Sequence, residues 1–325
     1  MQHVKFFISF LWFLCILSTS WAGQKVVLKV FHAGSLSVPF ARMEQIFEQQ
    51  YPFIDVRREA SGSVQAVRKV TDLGKPCDAI GVSDYSIIPK MMFPDYVDHV
   101  KLFARNEIVI CYTDKSRYGE KVNGQNWYKI LAKPNVKWAF SNPNDDPCGY
   151  RSLMTMALAS IYYKEPNLFS TLVGKISGFV WEKGKEILIT TPAILATTKN
   201  IFIRPKEVEL LGLLESGAID YAFEYKSVAQ QHHLHYVTLP AEINLSDLAH
   251  KDFYAQVKVQ LSNGKVVQAK PIVYGISTLK KARHPKEAKL WEDFVTGEEG
   301  AEILKACFQT PIFPAKVINK AYECQ

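Results

Sequence analysis

The apolar positions change period along the chain, and the changes predict strands and helices in alternation. Apolar runs at 26–31, 54–59 and 78–82 read as buried strands. Each leads into a stretch with helical spacing, at 38–50, 63–72 and 87–92. Strands and helices taken in turn imply a covered parallel sheet. A further apolar strand at 106–112 restarts the pattern with helix 127–131, strand 136–140, helices 149–163, 168–176 and 205–216, strand 218–223 and helix 226–233. Between 177 and 203 no single period holds. Val257, Val259 and Leu261 alternate ahead of Asn263-Gly264, a hairpin signal that reads as an insertion at 253–270. Strand 272–277 and helices 285–296 and 300–307 return to the style of the first part. The expected fold is α/β with two lobes, 23–106 plus 276–325 and 107–275, joined by crossing segments near 105–112 and 270–277. The cleft between such lobes, at the carboxyl ends of strands, is where a ligand binds.

Composition adds the compartment. At 325 residues and 48% hydrophobic content, the chain is long enough for two globular lobes. Residues 1–22 read as an export signal, with His3 and Lys5 at the basic end, an apolar core at 6–17 and Ser20-Trp21-Ala22 before the cleavage point. That core is too short to span a bilayer comfortably, and Cys15 lacks the preceding small residues that lipid attachment requires. A cleaved signal and a freely diffusing periplasmic monomer are expected. Cys77, Cys111, Cys148, Cys307 and Cys324 remain, without metal-type spacing. They are either buried apolar thiols or include one bridge, Cys307–Cys324. The net charge of +7 suits the gathering of anions or simply a solvated surface. No dense Lys/Arg run with interleaved aromatics argues for nucleic acid.

The candidate chemistry lies at three turns between strand and helix. Ser141-Asn-Pro-Asn-Asp-Asp-Pro-Cys-Gly-Tyr-Arg151 places Asp146 at the capping position and Pro147 at the first helical position, where free N–H groups and the positive end of the helix dipole converge. His32-Ala-Gly-Ser-Leu-Ser37 and Ala60-Ser-Gly-Ser-Val64 repeat the geometry. Together they suggest a cradle for an oxyanion. Gly34, Ser35 and Ser63 would donate N–H and O–H groups to it; alternatively the serines only cap helices and the glycine only permits a turn. Asp146 by itself reads equally as an N-cap, and Glu207, two residues after Pro205, as a first-turn acid favouring the helix dipole.

With these motifs, Val30-Phe-His-Ala-Gly-Ser-Leu36, Ala104-Arg-Asn-Glu-Ile-Val109, Asn126-Trp-Tyr-Lys-Ile-Leu131, Tyr225-Lys-Ser-Val-Ala229 and Lys270-Pro-Ile-Val-Tyr-Gly275, the chain resembles the tungstate/molybdate-binding proteins of the archaeal type. These are solute-binding components of ABC importers with the periplasmic-binding-protein type II fold. The resemblance covers nearly the whole mature chain. It implies a closed cleft in which Gly34, Ser35 and Ser63 face Asp146, Pro147, Cys148, Glu207 and Tyr225 around the anion. It further implies that the carboxylates of Asp146 and Glu207 coordinate the metal of the oxyanion, expanding it to six-coordination, and that separately encoded permease and ATPase subunits are the partners. No cofactor is expected besides the ligand.

Carboxylates beside a dianion repel it, at roughly 4 kcal/mol per pair at 4 Å and an effective dielectric near 20. Hexavalent Mo or W accepts further oxygen ligands, whereas sulfur and phosphorus offer no comparable site, so the same acids would attract one class of oxyanion and reject the other. A plain donor cradle for sulfate or another oxyanion is the alternative. Glu209, about 200° around the helix from Glu207, and Glu224, alternating with Tyr225, are expected to face away. Arg151 is expected to brace the cleft acids. Tyr225 either donates to an oxo group or packs. His32 supports the first loop from behind, and His232-His-Leu-His235, without partnering acids in sequence, reads as a solvated turn. A ferric site would want several clustered tyrosines and a His. No Gly-x-Ser-x-Gly, His-Glu-x-x-His or P-loop pattern supports an enzyme.

Overall fold

The computed structural model describes residues 25–319, apart from 177 and 185. The expected export signal at 1–22 and Cys324, with its expected pairing to Cys307, lie outside the described residues. Among those described, no helix is long and apolar enough to cross a membrane.

The chain begins with β1 (Val26–Ala33), β2 (Ile54–Ser61) and β3 (Ala79–Val82), connected by the helices Ser37–Gln50 and Ser63–Thr71. β1 runs parallel to both β2 and β3. On the first helix Phe40, Met43 and Phe47 are buried, at the spacing of a single face. Phe40 and Phe47 meet Trp291 of the later helix Pro285–Thr296 edge to face, at centroid distances of 5.5 and 5.2 Å. That contact returns the end of the chain to the first lobe.

β4 (His99–Arg105) gives way within two residues to β5 (Ile108–Tyr112), and the chain passes into a second sheet. β6 (Trp138–Ser141) leads into the long helix Pro147–Tyr162. There follow β7 (Val180–Lys183), β8 (Ile187–Thr190), β9 (Ile201–Arg204), β10 (Tyr221–Tyr225), β11 (His235–Thr238), β12 (Val257–Gln260) and β13 (Val266–Gln268). β14 (Val273–Thr278) and β15 (Thr310–Asn319) rejoin the first sheet. The strand orders are β15-β4-β14-β3-β1-β2 in the first sheet, β11-β5-β10-β6-β9 in the second and β13-β12-β8-β7 in a third. Two lobes of mixed α/β structure result, with the third sheet attached to the second lobe.

Six strands were not expected, β4, β7, β8, β9, β11 and β15, and three of them have a clear physical reason. Pro311 and Pro314 argue against a strand at 310–319, yet β15 pairs only with β4 at the sheet edge, where a missing N–H is tolerated, and its register shifts between Pro311 and Lys316. The stretch without a clear period holds β7 and β8. β7 pairs antiparallel with β8, and the parallel partner of β8, β12, is distant in sequence, so local pattern does not reveal them. The expected hairpin is present, with Gly264 at φ +81° in its turn, and through β12 it belongs to this third sheet.

Candidate functional site

The Ser141–Arg151 turn is built as a rigid loop. Its start is tied to β9 by the Asn142 amide, which donates to Arg204 O at 2.7 Å, and the Asp146 amide donates back to Asn142 O at 2.9 Å. Asn144 fixes the loop to the third sheet: its Oδ1 accepts from Thr191 Oγ1 at 2.8 Å and from the Ser262 amide at 2.9 Å, and its Nδ2 donates to Pro192 O at 2.9 Å. Asp146 occupies the capping position in extended conformation and Pro147 the first helical position, as expected. The Asp146 carboxylate, however, makes no capping bond to its own helix. Oδ2 accepts instead from the amide of Glu207 at 3.1 Å.

That bond explains a correction. The helix expected at 205–216 begins only at Glu209 (Glu209–Glu215), and Glu207 sits in the bend before it. With its amide held by Asp146, Glu207 is not a first-turn acid and its side chain is buried at 1% exposure. Glu209 does face outward, toward Lys206 Nζ at 4.0 Å, but through this turn geometry rather than rotation around a shared helix. Both Glu207 carboxylate oxygens are buried with no N–H or hydroxyl donor against them, beside the Asp146 carboxyl, with which Glu207 can share a proton. They face Gly34 of the first lobe, where an added Cβ would lie 2.7 Å from Oε1. Gly34 therefore admits the carboxylate by lacking a side chain.

The first-lobe serines do not cap helices. Ser63 opens the helix Ser63–Thr71 as its first residue with Gly62 at the cap, and its hydroxyl accepts from the Ser83 amide at 3.0 Å while lying 3.1 Å from Ser83 Oγ. The amides of Ser63 and Val64 stand in the first turn, where a helix provides no acceptor. Ser35 lies in the short turn Gly34–Leu36, its hydroxyl accepting from Tyr274 Oη at 3.0 Å and its carbonyl from Gln309 Nε2 at 3.2 Å. His32 donates from Nδ1 to Ala33 O at 2.8 Å, and burial lowers its pKa to about 4, so a neutral ring supports this loop.

Tyr225 ends β10, fully buried, and its hydroxyl accepts from Arg151 Nη1 at 2.7 Å. Arg151 does not brace Asp146 or Glu207. Its Nη1 also donates to Ser83 O at 2.9 Å and its Nη2 lies 3.8 Å from Asp84 Oδ2, so besides Tyr225 its partners come from the opposite lobe. Cys148 is buried with its thiol 3.7 Å from Phe223 O, and burial pushes its ionisation well above the ordinary range. Cys77, Cys111 and Cys307 are likewise buried.

Glu224 corrects a second expectation. It alternates with Tyr225, yet its side of the strand is also closed: it is wholly buried, Oε2 accepts from the Tyr225 amide at 3.1 Å and Oε1 has no partner. Burial pushes Glu224 and Glu207 well above the usual carboxylate range; for Glu207 the charges of Asp146 and then Glu224 add to it. Asp146 is raised as well, first by burial. Three carboxyl groups thus share one desolvated region. Of the histidine run, His235 opens β11 and pairs with the exposed Asp114 at 2.7 Å. No group of three or more metal-ligating side chains is found among the described residues.

Sequence reasoning missed Gly62, Ser83 and Asp84. Ser83-Asp84 follows directly on β3, so the carboxyl end of a third first-lobe strand was the available signal. Asp84 is buried. Its carboxyl is raised by burial, but Lys270 and Arg151 outweigh this and hold it below the usual range. A group with a depressed folded pKa contributes stability above its unfolded value, near 3.8, and loses it as pH falls further. Asp84→Asn is therefore expected to lower unfolding stability by about 3 kcal/mol at pH 7 in the arrangement described, with Tyr150, Arg151 and Lys270 in place. The difference should shrink below about pH 4 in denaturant titrations; a gap constant across pH would show that charge is not its source.

The sequence model of the bacterial extracellular solute-binding protein family matches residues 28–307, and the chain belongs to that family. Its members are binding proteins, not enzymes. The chain is 49% identical over 301 residues to the molybdate/tungstate-binding protein WtpA of Pyrococcus abyssi, covering 90% of this chain and 87% of that one. It is 47% identical over 301 residues to WtpA of Thermococcus kodakarensis, covering 89% and 84%. Among solved structures it is similar to the periplasmic molybdate-binding protein of Azotobacter vinelandii, with a TM-score of 0.56 at 15% identity over 87% of this chain and 98% of that one. The sulfate-binding protein SubI of Mycobacterium tuberculosis matches with a TM-score of 0.60 at 12% identity, over 89% and 88%. The fold is thus shared by a molybdate-binding and a sulfate-binding protein.

Proposed function

We propose that this chain is the extracytoplasmic receptor of an ABC importer and captures molybdate or tungstate between its lobes. On this reading lobe one comprises 23–106 plus 276–325 and lobe two 107–275. Gly34, Ser35 and Ser63 supply neutral donors from the first. Asp146, Pro147, Cys148, Glu207 and Tyr225 form the facing wall, Cys148 through its backbone. The carboxylates of Asp146 and Glu207 coordinate the metal of the bound anion. The protein works as a periplasmic monomer whose closed form is read by a permease with its own ATPase. The high identity to proteins named for molybdate and tungstate supports the ligand class.

One observation carries the coordination reading. Glu207 keeps two buried carboxylate oxygens without an N–H or hydroxyl donor, facing Gly34. Buried acceptors left unpaired are costly, about 1–3 kcal/mol each. A partner that accepts electron pairs, such as a hexavalent metal, suits them; a sulfate oxygen, itself an acceptor, does not. Bound in this way the acids must be deprotonated, and the metal centre supplies the compensating attraction.

Calorimetric titration of residues 23–325 with tungstate, molybdate, sulfate and phosphate in one buffer tests the proposal. Tight binding of the first two with sulfate silent is expected. Equal binding of sulfate would mean a plain donor cradle and would return Asp146 to holding the Glu207 turn.

A further inference from the structure

Resting on the lobe-closure reading above, we infer that Asp84 is the positioning residue that latches the two lobes together, with Tyr150, Arg151 and Lys270 as its partners. Asp84 lies in the turn after β3, and its two oxygens serve different parts of the molecule. Oδ1 accepts from the amide and hydroxyl of Ser86, at 3.0 and 2.8 Å, and lies 3.2 Å from Lys270 Nζ on the segment returning from the second lobe. Oδ2 accepts from Tyr150 Oη at 2.7 Å and lies 3.8 Å from Arg151 Nη2, both on the helix Pro147–Tyr162. Asp84, Tyr150 and Arg151 are each no more than 2% exposed. A carboxylate and a guanidinium are therefore withdrawn from water only where the lobes meet.

The latch reaches the anion wall through Ser83. Arg151 Nη1 donates both to Ser83 O, at 2.9 Å, and to Tyr225 Oη, at 2.7 Å. The Ser83 amide donates to Ser63 Oγ at 3.0 Å. One first-lobe dipeptide, Ser83-Asp84, thus orients a proposed donor on its own side and holds a proposed wall residue on the other. Separation of the lobes would break the Tyr150, Arg151 and Lys270 contacts together while leaving the Ser86 contacts intact. Asp84 acts on the ligand only through this geometry.

Such a residue has a distinct kinetic signature. Latch contacts form after the anion has entered, so their loss speeds release without slowing capture, and does so equally for every anion the cleft holds. Tyr150→Phe removes only the hydrogen bond to Asp84 and keeps the packing ring. It is expected to raise the tungstate and molybdate dissociation rates by about tenfold. Association rates and the ratio of the two affinities should not change. Stopped-flow measurements on wild type, Tyr150→Phe, Asp84→Asn and the double variant are combined with a double-mutant cycle in denaturant unfolding at saturating tungstate, repeated without anion. Coupling in unfolding together with faster, anion-independent release supports the latch. Absence of coupling in the anion-bound protein, an unchanged release rate or an altered affinity ratio would overturn it. A wild type that binds none of the anions yet shows coupling would overturn the ligand assignment alone, leaving Asp84–Tyr150 as the lobe contact.

Discussion

Replacing Asp146 by Asn and Glu207 by Gln together is expected to weaken tungstate and molybdate binding by at least about a thousandfold, some 4 kcal/mol. The amides nearly match the acids in volume, so the bend at Glu207 and the start of the Pro147–Tyr162 helix should persist. The side-chain carbonyl oxygen introduced at position 146 could still accept from the amide at position 207, as Asp146 Oδ2 does at 3.1 Å. What disappears is negative oxygen able to bind a metal. The same exchange introduces N–H donors, so sulfate, otherwise excluded, should gain affinity. X-ray absorption at the tungsten edge gives an independent reading: six oxygen neighbours in the wild type, and four if the variant still holds the anion. Tight tungstate binding by the double variant would sink the coordination hypothesis. The inverted preference between tungstate and sulfate is the more demanding outcome, because general damage to the cleft would weaken both.

Gly62→Ala should produce a smaller but still large loss from a residue with no donor of its own beyond its backbone. Gly62 adopts φ −59° and ψ 142°, a conformation open to any L-residue, so its backbone does not require glycine. Its neighbour across the cleft does. A Cβ at this position would collide with the Asp145 carbonyl and come within 3.1 Å of Asp146 Cβ. The Gln65 amide meets the same carbonyl at 3.4 Å, which marks this as a close backbone approach between the Ser63–Thr71 helix and the anion loop. Overpacking of this kind costs about 1–3 kcal/mol. Here the cost falls on the closed arrangement alone. Affinity should drop by roughly ten- to a hundredfold, with thermal stability in the absence of anion close to wild type. A variant that binds normally would show that the lobes approach less closely than described.

Much of the fold was legible because local pattern and tertiary role agree. The helices Ile87–Met92, Trp127–Leu131 and Pro285–Thr296 fall where their apolar spacing predicts. Asp146-Pro147 marks a helix start by its own chemistry. What escaped was set by distant partners. β8 is a strand because β12 lies beside it, and β15 is one because an edge tolerates its prolines. In the site, Pro205-Lys-Glu207 has the composition of a helical first turn, and only the carboxylate of Asp146, far away in sequence, diverts the Glu207 amide. Alternation puts Glu224 on the face opposite Tyr225, and local pattern does not show that this face is covered as well. Arg151 was recognised as a brace but assigned to the wrong acids, since its true partner, Asp84, belongs to the other lobe.

The attachment of the anion loop to the third sheet through Asn144 also has a practical use. Because Ser262 and Thr191 are bonded to the same side chain as the loop, the hairpin turn at Asn263 travels with the anion wall. Asn263 is itself exposed and borders a small apolar cavity of about 40 Å³ whose other walls include Val64, Ile87 and Met91 of the first lobe. An environment-sensitive dye carried at position 263, too large to enter that cavity, would come against its rim if the lobes close as proposed. On the proposed reading the hairpin is a reporter arm, and the protein could be converted into a fluorescent sensor for molybdate or tungstate without altering a residue of the proposed anion wall.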